Sequence, residues 1–216
     1  SVVHEVKRLS SEGVREFNLI AQDSSFYGRD LNDGTTLARL LKELVKIDNV
    51  KWIRLFYLYP TYFDDELLEI ITKEEKICKY VDIPLQHISD SVLRRMHRRD
   101  SSQSIKKLLK KLRNTTPYIT IRTTLMVGFP GETEADFKEL LTFIKAVKFD
   151  NMGAFTYSAQ DGTPAARMVD QVTEEIKENR YHELMAAQAE ISEENNRNLI
   201  GVDTEVLVEE LLDDGC

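Results

Sequence analysis

Gly128-Phe129-Pro130-Gly131-Glu132-Thr133 places two glycines, a proline and an acid within six positions. Glycine permits the tight, left-handed backbone that brings amide N–H groups close to a ligand. A helix starting directly afterwards would add a positive dipole end suited to carboxylate or ribose oxygens. The segment is neither a GxGxxG dinucleotide fingerprint nor a P-loop, since the GK[ST] element is missing. Spacing alone leaves two readings open: a ligand cradle, or a tight turn into a capped helix.

Other polar residues stand where apolar runs end: Gln22-Asp23-Ser24-Ser25, Tyr57 to Pro60, Asp82 to His87, and Tyr157-Ser158. His87 has no Ser-His-Asp order or HExxH spacing to make it a base, so it reads either as a ligand or as a satisfied structural side chain. Asp82 lies inside an apolar run. It is therefore either buried and hydrogen-bonded or turned toward the interior of a barrel. No catalytic acid–base pair is visible.

Cys78 and Cys216 form no CxxC-type spacing, which argues against a zinc or iron–sulfur site ligated by this chain alone. Two unpaired thiols fit a reducing, cytoplasmic setting. With 216 residues, 42% hydrophobic and 31% charged, the chain can bury a sizeable core without staples. No apolar run approaches the roughly 20 residues that cross a bilayer, so no membrane partner is expected. The net charge is −8, but Arg94–Arg113 carries nine basic residues against Asp100 alone. From Glu174 onward thirteen acidic residues face three basic ones. The basic window reads as solvated helix faces or as a surface for a phosphate-rich partner.

The elements that must position these residues alternate. Runs rich in β-branched and aromatic residues predict strands at Glu16–Gln22, Trp52–Leu58, Tyr80–Gln86, Thr120–Phe129 and Asn151–Ser158. Val3–Ser11 predicts a short helix ended by Gly13. Leu37, Leu40, Leu41, Leu44 and Val45 predict another, capped by Thr35. Ile105, Leu108, Leu109 and Leu112 form a third stripe, and Phe137, Leu140, Leu141, Ile144 and Val147 a fourth behind a Thr133–Asp136 capping box. Strand starts every 28 to 40 residues indicate βα units, hence a doubly wound sheet or a (β/α) barrel. The initial helix suggests a barrel whose first strand lies upstream of Ser1. Thr173–Leu199 predicts one long charged helix, and Glu205–Leu212 the opening strand of a further β unit.

Five segments carry a family likeness: Leu19–Leu31 (LIAQDSSFYGRDL), Arg54–Pro60 (RLFYLYP), Tyr80–Arg98 (YVDIPLQHISDSVLRRMHR), Leu112–Phe137 and Gly153–Ala165 (GAFTYSAQDGTPA). Together they resemble the radical S-adenosylmethionine methylthiotransferases over nearly the whole chain. Glu178–Ser192 is similar to the helix before that family's small TRAM domain. Gln22-Asp23, Tyr57–Pro60, Asp82–His87 and the Tyr157–Thr163 ending look like the branch that modifies a ribosomal protein rather than the tRNA branch.

The resemblance implies an α/β fold, a partial (β/α)6 TIM-like barrel over residues 1–165, a helical connector over 166–200 and the start of a TRAM-like β domain over 201–216. It implies S-adenosylmethionine across the strand ends and two 4Fe-4S clusters whose ligands are not in this chain, so that the chain alone is expected to be inactive. Gln22 and Asp23 would lie near the cofactor's amino-acid group and Gln86 near the ribose. Gly128, Gly131 and Glu132 would lie near the methionine backbone or adenine, with Tyr157 and Ser158 on the adenine side. Arg122 is a candidate for the carboxylate, through its bidentate fork. The implied reaction methylthiolates the β-carbon of an aspartate in a small-subunit ribosomal protein. Arg94–Arg113 would meet ribosomal RNA and the acidic end the basic substrate. Three other readings remain: tRNA adenosine methylthiotransfer, a ribosome- or RNA-associated binding module without catalysis, and an aldolase-like lyase. The last lacks a lysine or metal set at the strand ends.

Overall fold

A computed structural model describes residues 1–208. Its helices are α1 (Val2–Ser11), α2 (Leu37–Leu44), α3 (Asp65–Lys73), α4 (Asp90–Arg95), α5 (Ser102–Thr115), α6 (Glu134–Val147) and α7 (Glu174–Arg197). The strands are β1 (Glu16–Leu19), β2 (Trp52–Leu55), β3 (Tyr80–Asp82), β4 (Thr120–Val127) and β5 (Asn151–Thr156). All paired strands run parallel, β1 with β2 and β3 with β4 and β5. A bridge between Ile53 and Ile77, and the Leu58 amide donating to the Asp82 carbonyl at 2.8 Å, join the two groups. Strand order therefore follows chain order. That is the order of a barrel and not of a doubly wound sheet, whose order reverses at a switch point.

Each of the five predicted strands starts at the expected residue but leaves the ladder two to four residues early. The cause lies at the carboxyl ends. Tyr57 and Gln86 take positive φ values of 53° and 68°, and Gly128 one of 75°, so the chain turns out of the pleat toward the barrel mouth. Gln86 still bridges to Leu125 beyond the named part of β3.

On β4 burial alternates strictly. Ile121, Thr123, Leu125 and Val127 are buried, while Thr120, Arg122, Thr124 and Met126 are half-exposed. The buried face meets Phe137, Leu140 and Ile144 of α6 and Leu184 of α7 in one continuous core. Truncating a fully buried member such as Leu125 to alanine costs about 2–5 kcal/mol. The half-exposed set faces the other way, onto the concave side.

Thr36, not Thr35, caps α2 by accepting from the Arg39 amide, because Asp33 has already folded Thr35 into an Asx turn. The Thr133–Asp136 capping box on α6 forms as expected, and Thr173, where the long helix was expected to begin, caps α7. Helix α3 was not foreseen, although Asp64 accepts from the Leu67 amide as a good cap should. Residues 202–208 are not in a strand, and the rest of the Glu205–Leu212 expectation lies outside the described residues. No helix among the described residues is long and apolar enough to cross a membrane.

Candidate active site at the strand ends

The carboxyl ends of β1 and β2 are tied to each other. Asp23 accepts from the amide and hydroxyl of Ser25, the Ser24 amide donates to the Tyr57 carbonyl at 2.9 Å, and the Ser25 hydroxyl accepts from the Tyr59 amide at 3.0 Å. Beside them opens a cleft of about 650 Å³, bordered by Gln22, Asp23, Phe26, Tyr59, Tyr62 and the stretch Met96 to Asp100. Arg98 stacks 4.5 Å from the centre of the Tyr59 ring and donates to the Pro84 carbonyl at 2.7 Å. The size suits a small-molecule site.

The ends of β3, β4 and β5 form a second grouping. Gln86 is held by backbone bonds to Thr124 and Met126, at 3.0 and 2.7 Å, and the Tyr157 amide donates to Val127 at 2.9 Å. Tyr157 packs edge-on against Phe129 at 5.2 Å, and its buried hydroxyl has no partner. Met96 borders the cleft and also packs against this aromatic pair, so the two groupings adjoin. Gln22 and Ser158 are exposed.

The turn Gly128–Thr133 is fastened from within. Glu132 is buried, and its Oε2 accepts from the Gly128 amide at 2.7 Å and the Phe129 amide at 3.3 Å. Its Oε1 accepts from Arg180 of α7 at 2.9 Å, and Arg180 also reaches the Glu132 carbonyl at 3.2 Å. Burial pushes the Glu132 carboxyl up, against the pull of Arg180 and the two amides. The N–H groups expected to greet a ligand are therefore occupied by the turn's own acid. Both oxygens of the Glu132 carboxylate are engaged in holding the turn. Gly128 and Gly131 are required by their positive φ, and Gly128 by crowding as well. A Cβ would stand 2.2 Å from the Lys177 side chain at Gly128 and 2.3 Å from the Arg95 guanidinium at Gly131. Sequence reading missed Lys177 and Arg180, which continue the buried stripe of Leu184, Ala187, Gln188 and Ile191 at helical spacing and so carried a signal.

His87 is fully buried, and its Nδ1 accepts from the Ser89 amide at 3.0 Å. The proton of the neutral ring therefore sits on Nε2, 3.7 Å from Glu132. Burial lowers its pKa to about 4, with Arg180 adding to the effect and Asp136 opposing it. His87 is thus held through Nδ1 alone, and its buried Nε2 has no hydrogen-bond partner among the described residues. Burial alone would raise the Asp136 carboxyl, but hydroxyls of Ser89, Ser91 and Thr133 hold it well below the usual range.

Arg122 and Asp82 lie apart from both groupings. They are register partners on β4 and β3, and Arg122 Nη1 donates to Asp82 Oδ2 at 2.9 Å. Asp82 is thus both buried and on the concave face. Its Oδ1 has no partner, and burial pushes its carboxyl up against the pull of Arg122. Cys78 is half-buried and free, as expected, and burial raises its thiol. No cluster of metal-ligating side chains occurs among the described residues.

A parallel, sequentially ordered α/β barrel core with a cleft at its carboxyl ends is the architecture of a barrel enzyme. Residues 1–144 match the Radical SAM superfamily, and the chain belongs to it. It is 52% identical over 209 residues to the ribosomal protein uS12 methylthiotransferase RimO of Pelobacter propionicus, covering 97% of this chain and 46% of that protein. The enzyme of the same name from Geotalea uraniireducens is 50% identical over 96% of this chain and 46% of its own length. The chain thus spans about half the length of the curated relatives it matches. In fold it resembles coproporphyrinogen III oxidase HemN of Escherichia coli, with a TM-score of 0.65 at 16% identity, covering 88% of this chain and 45% of that one.

Proposed function

We propose that this chain is the barrel portion of a radical S-adenosylmethionine methylthiotransferase acting on ribosomal protein uS12. The reaction replaces a C–H at the β-carbon of an aspartate with C–SCH₃. The observation that carries the reading is the identity of about half of all residues, over nearly the whole chain, with enzymes named for that activity. The same proposal makes residues 1–165 barrel, 166–200 connector and the residues from 201 the opening of a TRAM-like domain, in a cytoplasmic protein.

The residues present fit the cofactor. The cleft beside Gln22 and Asp23 has the volume, the Gln86 amide makes no side-chain hydrogen bond among the described residues, and the buried Tyr157 hydroxyl is unpartnered. Gln22 and Asp23 would hold the amino-acid end, Gln86 the ribose, and the Gly128–Gly131 turn with Tyr157 and Ser158 the adenine. When bound, S-adenosylmethionine with its 4Fe-4S cluster supplies a carbon radical able to take hydrogen from an unactivated C–H. A second 4Fe-4S cluster belongs to the complete protein in this reading, with its ligands outside this chain. The chain's own side chains need no acid–base pair. Their work is to bind, orient and exclude water: Glu132 and Arg180 fix the turn, and Phe129 and Tyr157 give it a dry wall.

The partner surface is part of the proposal. On α4 and α5, Lys106, Lys111 and Arg113 pair with Glu139, Asp65 and Asp150, while Arg94, Lys107 and Lys110 have no ion-pair partner among the described residues. These three, with the exposed Arg99 between the two helices, are the groups available to ribosomal RNA phosphates. The test mixes the complete, cluster-loaded protein with isolated uS12 and, separately, with tRNA. A methylthio mass increase on uS12 is expected. An increase on tRNA alone would overturn the reading.

A further inference from the structure

The concave face of the barrel carries two guanidinium groups, each held by a carboxylate from the neighbouring strand. Arg54 Nε donates to Glu16 at 2.9 Å and lies 5.1 Å over the Tyr80 ring, and Arg122 Nη1 donates to Asp82 at 2.9 Å. Arg122 differs from Arg54 in what holds it. Asp82 is fully buried and uses only one oxygen on Arg122, while the arginine side chain is 37% exposed. A guanidinium has five N–H donors in a planar fork, and this pairing fixes the group through one of them while the side chain stays partly exposed.

Its height in the barrel matters. Gln86 sits beside Leu125, three residues beyond Arg122, and Gly128 and Tyr157 lie at the strand ends, six residues beyond. At about 3.3 Å per residue these are roughly 10 and 20 Å. Arg122 is therefore about 10 Å below Gln86 along the strands, on the concave face.

We propose that Arg122, oriented by Asp82, is a substrate-contacting residue that binds the carboxylate of the aspartate side chain in the protein substrate. The assignment rests on the functional reading above and gives it a residue that selects for an acid. It replaces the expectation that Arg122 binds the cofactor's own carboxylate. A preformed fork in a partly dry interior favours a carboxylate over an uncharged amide of the same shape.

The test uses the complete, cluster-loaded protein with S-adenosylmethionine present, and measures affinity for uS12 by fluorescence anisotropy. Two forms of uS12 are compared, natural and with the modified aspartate replaced by asparagine. The natural enzyme is expected to prefer the aspartate form by about 10- to 100-fold, the range of a charge-assisted hydrogen bond. Arg122→Gln should erase the preference, Arg122→Lys should keep part of it, and affinity for S-adenosylmethionine should stay within about twofold in both. Arg122→Gln leaves Asp82 unpaired, so Asp82→Asn/Arg122→Gln is the folded control expected to lose the preference equally. A preference that survives in these variants, or cofactor affinity that falls with it, overturns the assignment. Failure of the functional reading shows separately, as a natural enzyme that does not methylthiolate uS12 at all.

Discussion

Two buried carboxylates in this chain are each paired with an arginine from another element, and the pairs are completed differently. Glu132 spends both oxygens on Arg180 and on two backbone amides, and Arg180 is only 8% exposed. Asp82 spends one oxygen, and its arginine is half-open to the concave face. The first pair closes a turn against α7 and presents nothing outward, leaving only the buried Arg180 Nε without a partner. The second spends the stability of a buried charge on holding a guanidinium ready. A buried ion pair is weak evidence of stabilisation by itself; what separates these two is how far each arginine is open to solvent.

The difference can be broken most forcefully at the closed pair. Arg180→Met strands the Glu132 carboxylate in the core and is expected to cost about 3–5 kcal/mol, read by thermal unfolding. Glu132→Gln/Arg180→Met should recover much of that loss. No recovery would mean that Arg180 acts mainly through its packing on Phe137.

How much of this was readable beforehand divides along the same line. The strand starts, the Thr133–Asp136 box and the long α7 are written in local runs and spacings, and all were legible. The strand ends were overshot because positive φ at Tyr57 and Gln86 is not announced by the residue type. Glu132 stood out within its turn, but Arg180 lies 48 positions away. Asp82 and Arg122, 40 apart, meet only through parallel register. Which donors a carboxylate captures is a property of the folded chain.

A smaller, pH-dependent effect sharpens the closed side. His87 titrates near 4 in the folded chain against an ordinary 6.5, so between those values the unfolded chain binds more protons. Its contribution to stability is whole above about pH 6.5 and falls as pH drops toward 4, by on the order of 3 kcal/mol in all. Glu132 and Asp82, pushed up, slope the other way across acidic pH. Comparison with His87→Asn, which can still accept from the Ser89 amide, isolates the histidine. Denaturant midpoints at pH 7 and 5 should fall less in the variant than in the natural protein. Equal falls would remove His87 from the account.

The smallest stability effect belongs to the basic helix. Reversing Lys106, Lys107, Lys110 and Lys111 to glutamate should shift unfolding by only about 1 kcal/mol, because surface pairs contribute little. Ribosome association should weaken and lose much of its salt dependence. Association that is unchanged would take α5 out of the partner surface.

The contrast between the two arginines is tested most directly by their reactivity. The complete protein, with S-adenosylmethionine present, is treated with an arginine-selective dicarbonyl reagent, with and without uS12, and modified sites are mapped by mass spectrometry. Arg122 is expected to react in the free protein and to be shielded by uS12, while Arg180 stays unmodified in both. Modification of Arg180 in the folded protein, or reaction at Arg122 that is indifferent to uS12, would contradict the division into a closed pair and an open one.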